Sequence, residues 1–363
     1  MKQQLIIDPP LLNSANPWCT SLEQLQELYN CPYTGAVTTR TSLLDGFRHD
    51  ETIHQFTFYN PSTHNAVSAN PTKPGPADET GSLNTLGYSP LPLKEYLGFI
   101  QTISTRIPDA PSVPPGLKPF IISVTGTVGE VVECYKLICT QQATVSLKLA
   151  MEVNLSCPNI PDKPPPAYDS TTLLSYLTAL KIAIAHQVEN GRMTDYWEAH
   201  VPIGIKTPPY TYHDQFKHMI DALLASTKET EPHGIDCPIS FITATNTLGS
   251  SLLLTPASSA GSHSTNMFQH TLKSATGAGI GGLAGAPLHP LALGNVYTIK
   301  RLLSQHKELE NIQIIGVGGV EDADGYQRMR AVGAAAVGVG TALGRKGVKI
   351  FEEIGKGLEK GNQ

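Results

Sequence analysis

Residues 151–169 read MEVNLSCPNIPDKPPPAYD, and the two halves of that stretch ask for different structures. Leu149 and Ala150 lead into Val153 and Leu155, an apolar run that marks a buried strand. The strand then stops abruptly. Asn154, Ser156, Cys157 and Asn159 place two carboxamides, a hydroxyl and a thiol within six residues. Pro158 and Pro161 forbid a helix from starting there, and Pro164, Pro165 and Pro166 hold an extended arc. A strand that runs into a polar, proline-braced loop presents side chains at its C-terminal end, where parallel α/β folds keep their chemistry. A lone Cys157 reads as a buried structural thiol; its carboxamide and hydroxyl neighbours would need partners if buried, which a ligand can supply.

The same pattern repeats outward along the chain. Residues 11–15 are a short apolar entry into Asn16. Residues 35–39 read as a strand ending at Arg40-Thr41-Ser42, and residues 120–124 as another, followed by Gly126. Residues 202–206 end in Lys206, and residues 239–245 end at Asn246-Thr247. Residues 312–315 run into Gly318-Gly319, and residues 335–339 into Gly340-Thr341. Between them lie helical patterns. Thr20-Ser21-Leu22-Glu23 resembles a capping box before a helix carrying Leu22, Leu25 and Leu28. Further helices are expected over residues 93–103, 130–140, 170–190, 213–224, 290–303, 323–332 and 347–358. Eight strands alternating with helices favour an α/β fold closed as a (β/α)8 TIM barrel, a single domain over residues 1–363; an open doubly wound sheet is the alternative. Residues 42–93 interrupt the alternation. They are rich in Asn, Pro, Ser, Thr and Gly, with residues 62–81 of low complexity, and suit a flexible insertion that covers an active site.

The 363 residues are 40% hydrophobic with a formal net charge of −5, which supports a large core and gives no reason to expect nucleic acid or an anionic membrane as partner. The six cysteines form no CxxC pair and no zinc spacing, so free thiols in a reducing compartment are expected, and no metal site. The first ten residues lack the apolar core of a signal peptide, and no run approaches about 20 apolar residues. A cytoplasmic protein is expected.

Glycines after the last two strands let backbone N–H groups approach a phosphate closely, which points to a phosphate-bearing cofactor, with FMN the first candidate. Lys206, closing an apolar strand, is expensive to bury unpaired; the plain alternative is a lysine that reaches the surface.

Asn154-Leu155-Ser156-Cys157-Pro158-Asn159 closely resembles the signature loop of the FMN-dependent dihydroorotate dehydrogenases, and a cysteine at that place marks the class 1A-like, fumarate-type branch. The resemblance extends from about residue 13 to residue 353. It implies oxidation of dihydroorotate to orotate in pyrimidine biosynthesis, fumarate as acceptor giving succinate, and a homodimer. It makes Cys157 the base, Lys206 the cation beside the flavin, and Arg40 the occupant of the place where the family has a lysine. Asn84, Leu86, Gly87 and Tyr88 match the substrate loop, and Asn154, Asn159, Asn246 and Thr247 match positions that hold the pyrimidine. Ser14, Ala15, Arg40, Thr41, Asn154, Lys206, Gly282, Gly318, Gly319, Gly340 and Thr341 would hold the flavin. Asn16 stands where a glycine is usual, and Thr243-Ala244 where the family has Asn-Ser. Two other readings are a flavin oxidoreductase acting on another dihydropyrimidine or enoyl substrate, and a weakly active flavin-binding paralogue.

Overall fold

The computed structural model describes residues 4–66, 68–73, 75–106, 117–156, 165–190, 200–228, 235–257 and 267–361. Its strands in chain order are β1 (Leu11–Asn13), β2 (Val37–Thr38), β3 (Phe56–Tyr59), β4 (Gly81–Asn84), β5 (Phe120–Val124), β6 (Leu149–Asn154), β7 (Ile203–Thr207), β8 (Phe241–Ala244), β9 (Leu248–Ser251), β10 (Leu254–Pro256), β11 (Phe268–His270), β12 (Gly281–Gly285), β13 (Gln313–Val317) and β14 (Ala336–Val339). Its helices are α1 (Leu22–Asn30), α2 (Leu93–Thr105), α3 (Val128–Gln142), α4 (Ser170–Asn190), α5 (His213–Lys228), α6 (His289–Leu303), α7 (Ala323–Ala331), α8 (Thr341–Lys346) and α9 (Lys349–Gly361).

Eight strands form one parallel sheet in the order β1-β14-β13-β8-β7-β6-β5-β2. A parallel bridge between Leu12 and Ala36 joins the two ends, and the Asn13 side chain stitches that short seam: its Nδ2 donates to Thr38 O at 2.6 Å and its Oδ1 accepts from Thr38 N at 2.9 Å. The sheet is thus a nearly closed barrel, and the open-sheet alternative is gone. Because strand side chains alternate, one set fills the interior. Leu12, Ala36, Ile121, Ala150, Phe241, Ile315 and Ala336 pack together there with Leu5. Gly204 makes room in this layer, since a Cβ at that position would meet the Phe241 ring at 2.2 Å. The opposite set packs against the helices in the larger core.

The helices follow the apolar periodicity closely, with local differences. The N-cap of α1 is Ser21, and its reciprocal partner is Gln24 rather than Glu23, because the third helical residue faces the cap. The short helix α8, directly after the last strand, is not evident from the pattern. The insertion is also more ordered than its composition suggests. β3 and β4 pair antiparallel, β4 pairs with β12, and β12 with β9, giving a second sheet in the order β3-β4-β12-β9. Phe56 and Phe58 alternate with Thr57 and Tyr59 along β3, and Trp18 packs on both phenylalanines, stacked on Phe58 at 5.6 Å and edge-on to Phe56 at 5.4 Å. Among the described residues no helix is long and apolar enough to cross a membrane.

Candidate active site

The C-terminal ends of the barrel strands and the second sheet face each other across a solvent-open cleft of about 1040 Å³. The barrel supplies Ser14, Arg40, Thr41, Asn154, Lys206, Asn246 and the two glycine turns; the sheet supplies Phe56, Ser82, Asn84 and Gly285.

Below the floor lies a chain of hydrogen bonds whose direction is set by one buried group. Glu152 sits one inward position below Asn154 on β6. Its Oε1 accepts from Ser123 Oγ at 2.8 Å and its Oε2 from Thr243 Oγ1 at 2.6 Å. A carboxylate only accepts, so the Ser123 hydroxyl proton is committed to it. The Thr41 hydroxyl, 2.9 Å from Ser123 Oγ, must then donate to that oxygen. This leaves Thr41 Oγ1 to accept from Asn154 Nδ2 at 3.1 Å. Asn154 Oδ1 in turn accepts from Ser156 Oγ at 2.9 Å and from Asn246 Nδ2 at 3.3 Å. The Asn246 oxygen takes the Thr247 N–H at 2.8 Å. Both carboxamides are therefore fixed in one orientation. Asn154 retains a second N–H, and Asn246 a second oxygen lone pair.

Two cations face the same space. Lys206 is 4% exposed, and its ammonium makes only a long 3.5 Å contact to Ala15 O, with no ion pair among the described residues. Arg40 donates to Tyr88 O at 3.4 Å. It does not turn out to an acid such as Asp45. Burial pulls its guanidinium below the usual arginine value, while Tyr96 and Cys19 act in the opposite sense. Burial pushes both the Cys19 thiol and the Tyr96 phenol up to about 12, so neither offers Arg40 a negative charge near neutrality. None of the described residues lining the cleft is acidic. Two cations with no acidic partner among the described lining residues make a site suited to an anionic or electron-rich ligand.

The far side of the cleft is backbone. Gly318 and Gly319 follow β13 with φ of 143° and 66°, and Gly285 closes β12 with φ of 80°. A Cβ on Gly319 would lie 2.6 Å from Gly285 O, and one on Gly285 would lie 2.2 Å from Thr80 O. Here the glycines are required by both conformation and close approach. Ser82 Oγ and Thr341 Oγ1 join the two walls at 2.8 Å.

A family model described as dihydroorotate dehydrogenase matches residues 61–361. The chain belongs to the dihydroorotate dehydrogenase family. Its curated relatives include a protein of Streptococcus agalactiae named for dihydroorotate dehydrogenase A (fumarate), 27% identical over 97% of this chain and 89% of its own. Another is dihydroorotate dehydrogenase (fumarate) of Saccharomyces mikatae, 25% identical over 96% of this chain and 88% of its own. The fold is shared with a crystal structure of ligand-free dihydroorotate dehydrogenase from Eimeria tenella, with a TM-score of 0.65 at 15% identity over 96% of this chain and 83% of that one. The chain is thus an oxidoreductase of this family.

Of the residues singled out from sequence, Ser14, Ala15, Arg40, Thr41, Asn84, Leu86, Gly87, Tyr88, Asn154, Lys206, Asn246, Thr247, Gly318, Gly319, Gly340 and Thr341 line the cleft of this dihydroorotate dehydrogenase family member. Cys157 and Asn159 lie outside the described residues. Gly282 does not line the cleft; it stands behind it, its carbonyl accepting from Asn84 Nδ2 at 3.2 Å, and a Cβ there would strike Thr247 Oγ1 at 2.1 Å. Its use is close packing of β12 behind two lining residues. Sequence reading missed Trp18, Phe56, Ser82 and Gly285. The signal for Trp18 was a large aromatic two residues after an N-capping Asn16, whose Oδ1 accepts from Trp18 N at 2.8 Å. That bond gives Asn16 a folding role at the place where the family has glycine.

Proposed function

We propose that this chain binds FMN in the cleft and oxidises (S)-dihydroorotate to orotate for pyrimidine biosynthesis, with fumarate as the electron acceptor. The observation that carries this reading is Lys206: a buried ammonium without a counter-charge among the described residues, at the end of β7 and beside an oriented carboxamide. The residues present fit a flavin. The glycine turns after β13 and β14 leave backbone room for a phosphate, and Lys206 offers positive charge where electron density builds on reduction. Ser14, Ala15, Thr41 and Asn154 line the same space.

When bound, FMN supplies the acceptor for the hydride that leaves C6 of dihydroorotate, and fumarate carries those electrons off as succinate. The chain's own residues do the rest. Cys157 takes the proton from C5 as thiolate and holds it as thiol. Asn154 donates its second N–H and Asn246 offers its remaining lone pair to the amide edge of the pyrimidine, with Asn84, Asn159 and Thr247 completing that grip. Tyr88, Leu86 and Gly87 cover the ring, and Arg40 presents a planar fork to a carboxylate or ring oxygen. A homodimer in the cytoplasm belongs to the same proposal.

Steady-state turnover tests the reading. Dihydroorotate with fumarate should give orotate and succinate in equal amounts. If NAD or a long-chain quinone serves several-fold better than fumarate, the assignment of acceptor fails. If another dihydropyrimidine is turned over and dihydroorotate is not, the assignment of substrate fails.

A further inference from the structure

We infer that His289 is a positioning residue for the cofactor's phosphate, held in one tautomer by Arg328 so that it turns a single peptide group of the glycine cradle toward the cleft. This rests on the reading of the cleft as an FMN site.

His289 opens α6 and is 9% exposed. Its Nδ1 lies 2.7 Å from the carbonyl oxygen of Gly318, and its Nε2 lies 3.1 Å from Arg328 Nε, on α7. Arginine has donors only, so Nε2 must accept. The ring is then neutral with its proton on Nδ1, and that proton goes to the Gly318 carbonyl. The tautomer follows from the partners rather than from any titration.

The consequence reaches the cleft through peptide geometry. The peptide joining Gly318 to Gly319 is trans, so its C=O and N–H point in opposite directions. Gly318 and Gly319 line the cleft and His289 does not. A carbonyl drawn to His289 therefore leaves the Gly319 N–H aimed the other way, toward the cleft. That N–H has no partner among the described residues. Glycine at 319, with φ of 66°, could otherwise rotate this peptide cheaply. His289 removes that freedom, and a Cβ on Gly319 would lie 2.8 Å from the His289 Cβ, so the ring stands directly behind the turn.

The experiment compares FMN with riboflavin, which differ by the phosphate alone. Full-length protein loaded with either flavin is diluted, and recovery of free-flavin fluorescence gives each Kd. Asparagine mimics the Nδ1 end of histidine and glutamine the Nε2 end. His289→Asn should keep the wild-type preference for FMN, because its amide still donates to Gly318 O. His289→Gln should lose FMN affinity by about tenfold, the scale of one hydrogen bond to a charged group, with riboflavin unchanged within about twofold. Arg328→Met should cost FMN alone about threefold, as it unlocks the tautomer without removing the ring. Full preference for FMN in His289→Gln overturns the inference, and so does equal weakening of both flavins, which would mark a packing role. Wild-type protein that holds riboflavin as tightly as FMN would instead sink the phosphate reading of the cleft.

Discussion

The two sides of the cleft grip in different currencies. The side built by β13, β14 and β12 presents backbone, shaped by glycines at 285, 318, 319 and 340. The side built by β6, β7 and β8 presents side chains: Lys206, and the carboxamides of Asn154 and Asn246, which Glu152 orients from beneath. A backbone grip tolerates no added atom, and side chains such as His289 act on it only from behind. A side-chain grip tolerates packing changes but depends on donor and acceptor order. The first suits a constant group such as a phosphate; the second suits a molecule that must be told from its analogues.

Gly319→Ala should show the largest effect. The methyl would enter at φ of 66° and meet Gly285 O at 2.6 Å. Strain of about 1–3 kcal/mol is expected there, enough to lower Tm by a few degrees and to empty the purified protein of flavin. Absorbance near 450 nm after gel filtration reads this directly, and a yellow Gly319→Ala protein would break the division between the two sides.

Arg40 comes next. It holds the positive charge at the edge of the side-chain half, with its planar donors where the family has a compact ammonium. Arg40→Ala should lower kcat on dihydroorotate by about 10²-fold, the cost of a misplaced reactant, and Arg40→Lys should raise it by a few-fold. If Arg40→Lys lowers kcat, the site is shaped for another substrate.

Glu152→Gln follows. Its amide must donate toward Ser123 or Thr243, where the wild-type group only accepts. Orotate affinity should fall by about tenfold as the relay to Asn154 loses its single direction, while flavin content stays unchanged. A titration of flavin absorbance with orotate measures it. Flavin loss with unaltered orotate affinity would move Glu152 to the other half of the comparison.

The smallest effect concerns stability at high pH. Burial holds the Cys19 thiol neutral up to about 12, against an unfolded value of 9.0. Its contribution is complete below about 9 and is lost as pH rises through 12. Cys19→Ala should flatten the alkaline decline of Tm over that window, from a Tm at pH 7 lowered by the emptied core site and the lost sulfur hydrogen bonds to Asn16. An unaltered slope would show that buried tyrosines such as Tyr96 carry the decline instead.

Much of this was legible in the chain. The barrel strands repeat one pattern, apolar with a polar or glycine end, and the described ends of β1, β2, β6, β7, β8, β13 and β14 reach the cleft, because parallel alternation gathers them at one face; the end of β5 at Gly126 does not line it. Arg40, Lys206, Asn246 and Gly318-Gly319 could be read from that rule alone. The second sheet could not. β4 reads Gly-Ser-Leu-Asn and pairs with β12, about 200 residues away, so nothing local marks either as a strand. Glu152 was hidden for a different reason. It occupies a strand position like any other, and only the hydroxyls of Ser123 and Thr243, brought by neighbouring strands, reveal that it orients the floor. His289 likewise looks like a helix-start residue until Gly318 and Arg328 close around it.

The most direct measurement is anaerobic mixing of the purified, flavin-loaded protein with (S)-dihydroorotate in a stopped-flow spectrometer. The absorbance near 450 nm should bleach in a single turnover, with a rate that climbs as pH rises toward the ordinary thiol value of about 8.5. The Cys157→Ala protein should retain its flavin and bleach slower by orders of magnitude. Flavin that stays oxidised in the presence of saturating dihydroorotate, or that bleaches equally fast without Cys157, would contradict the assignment.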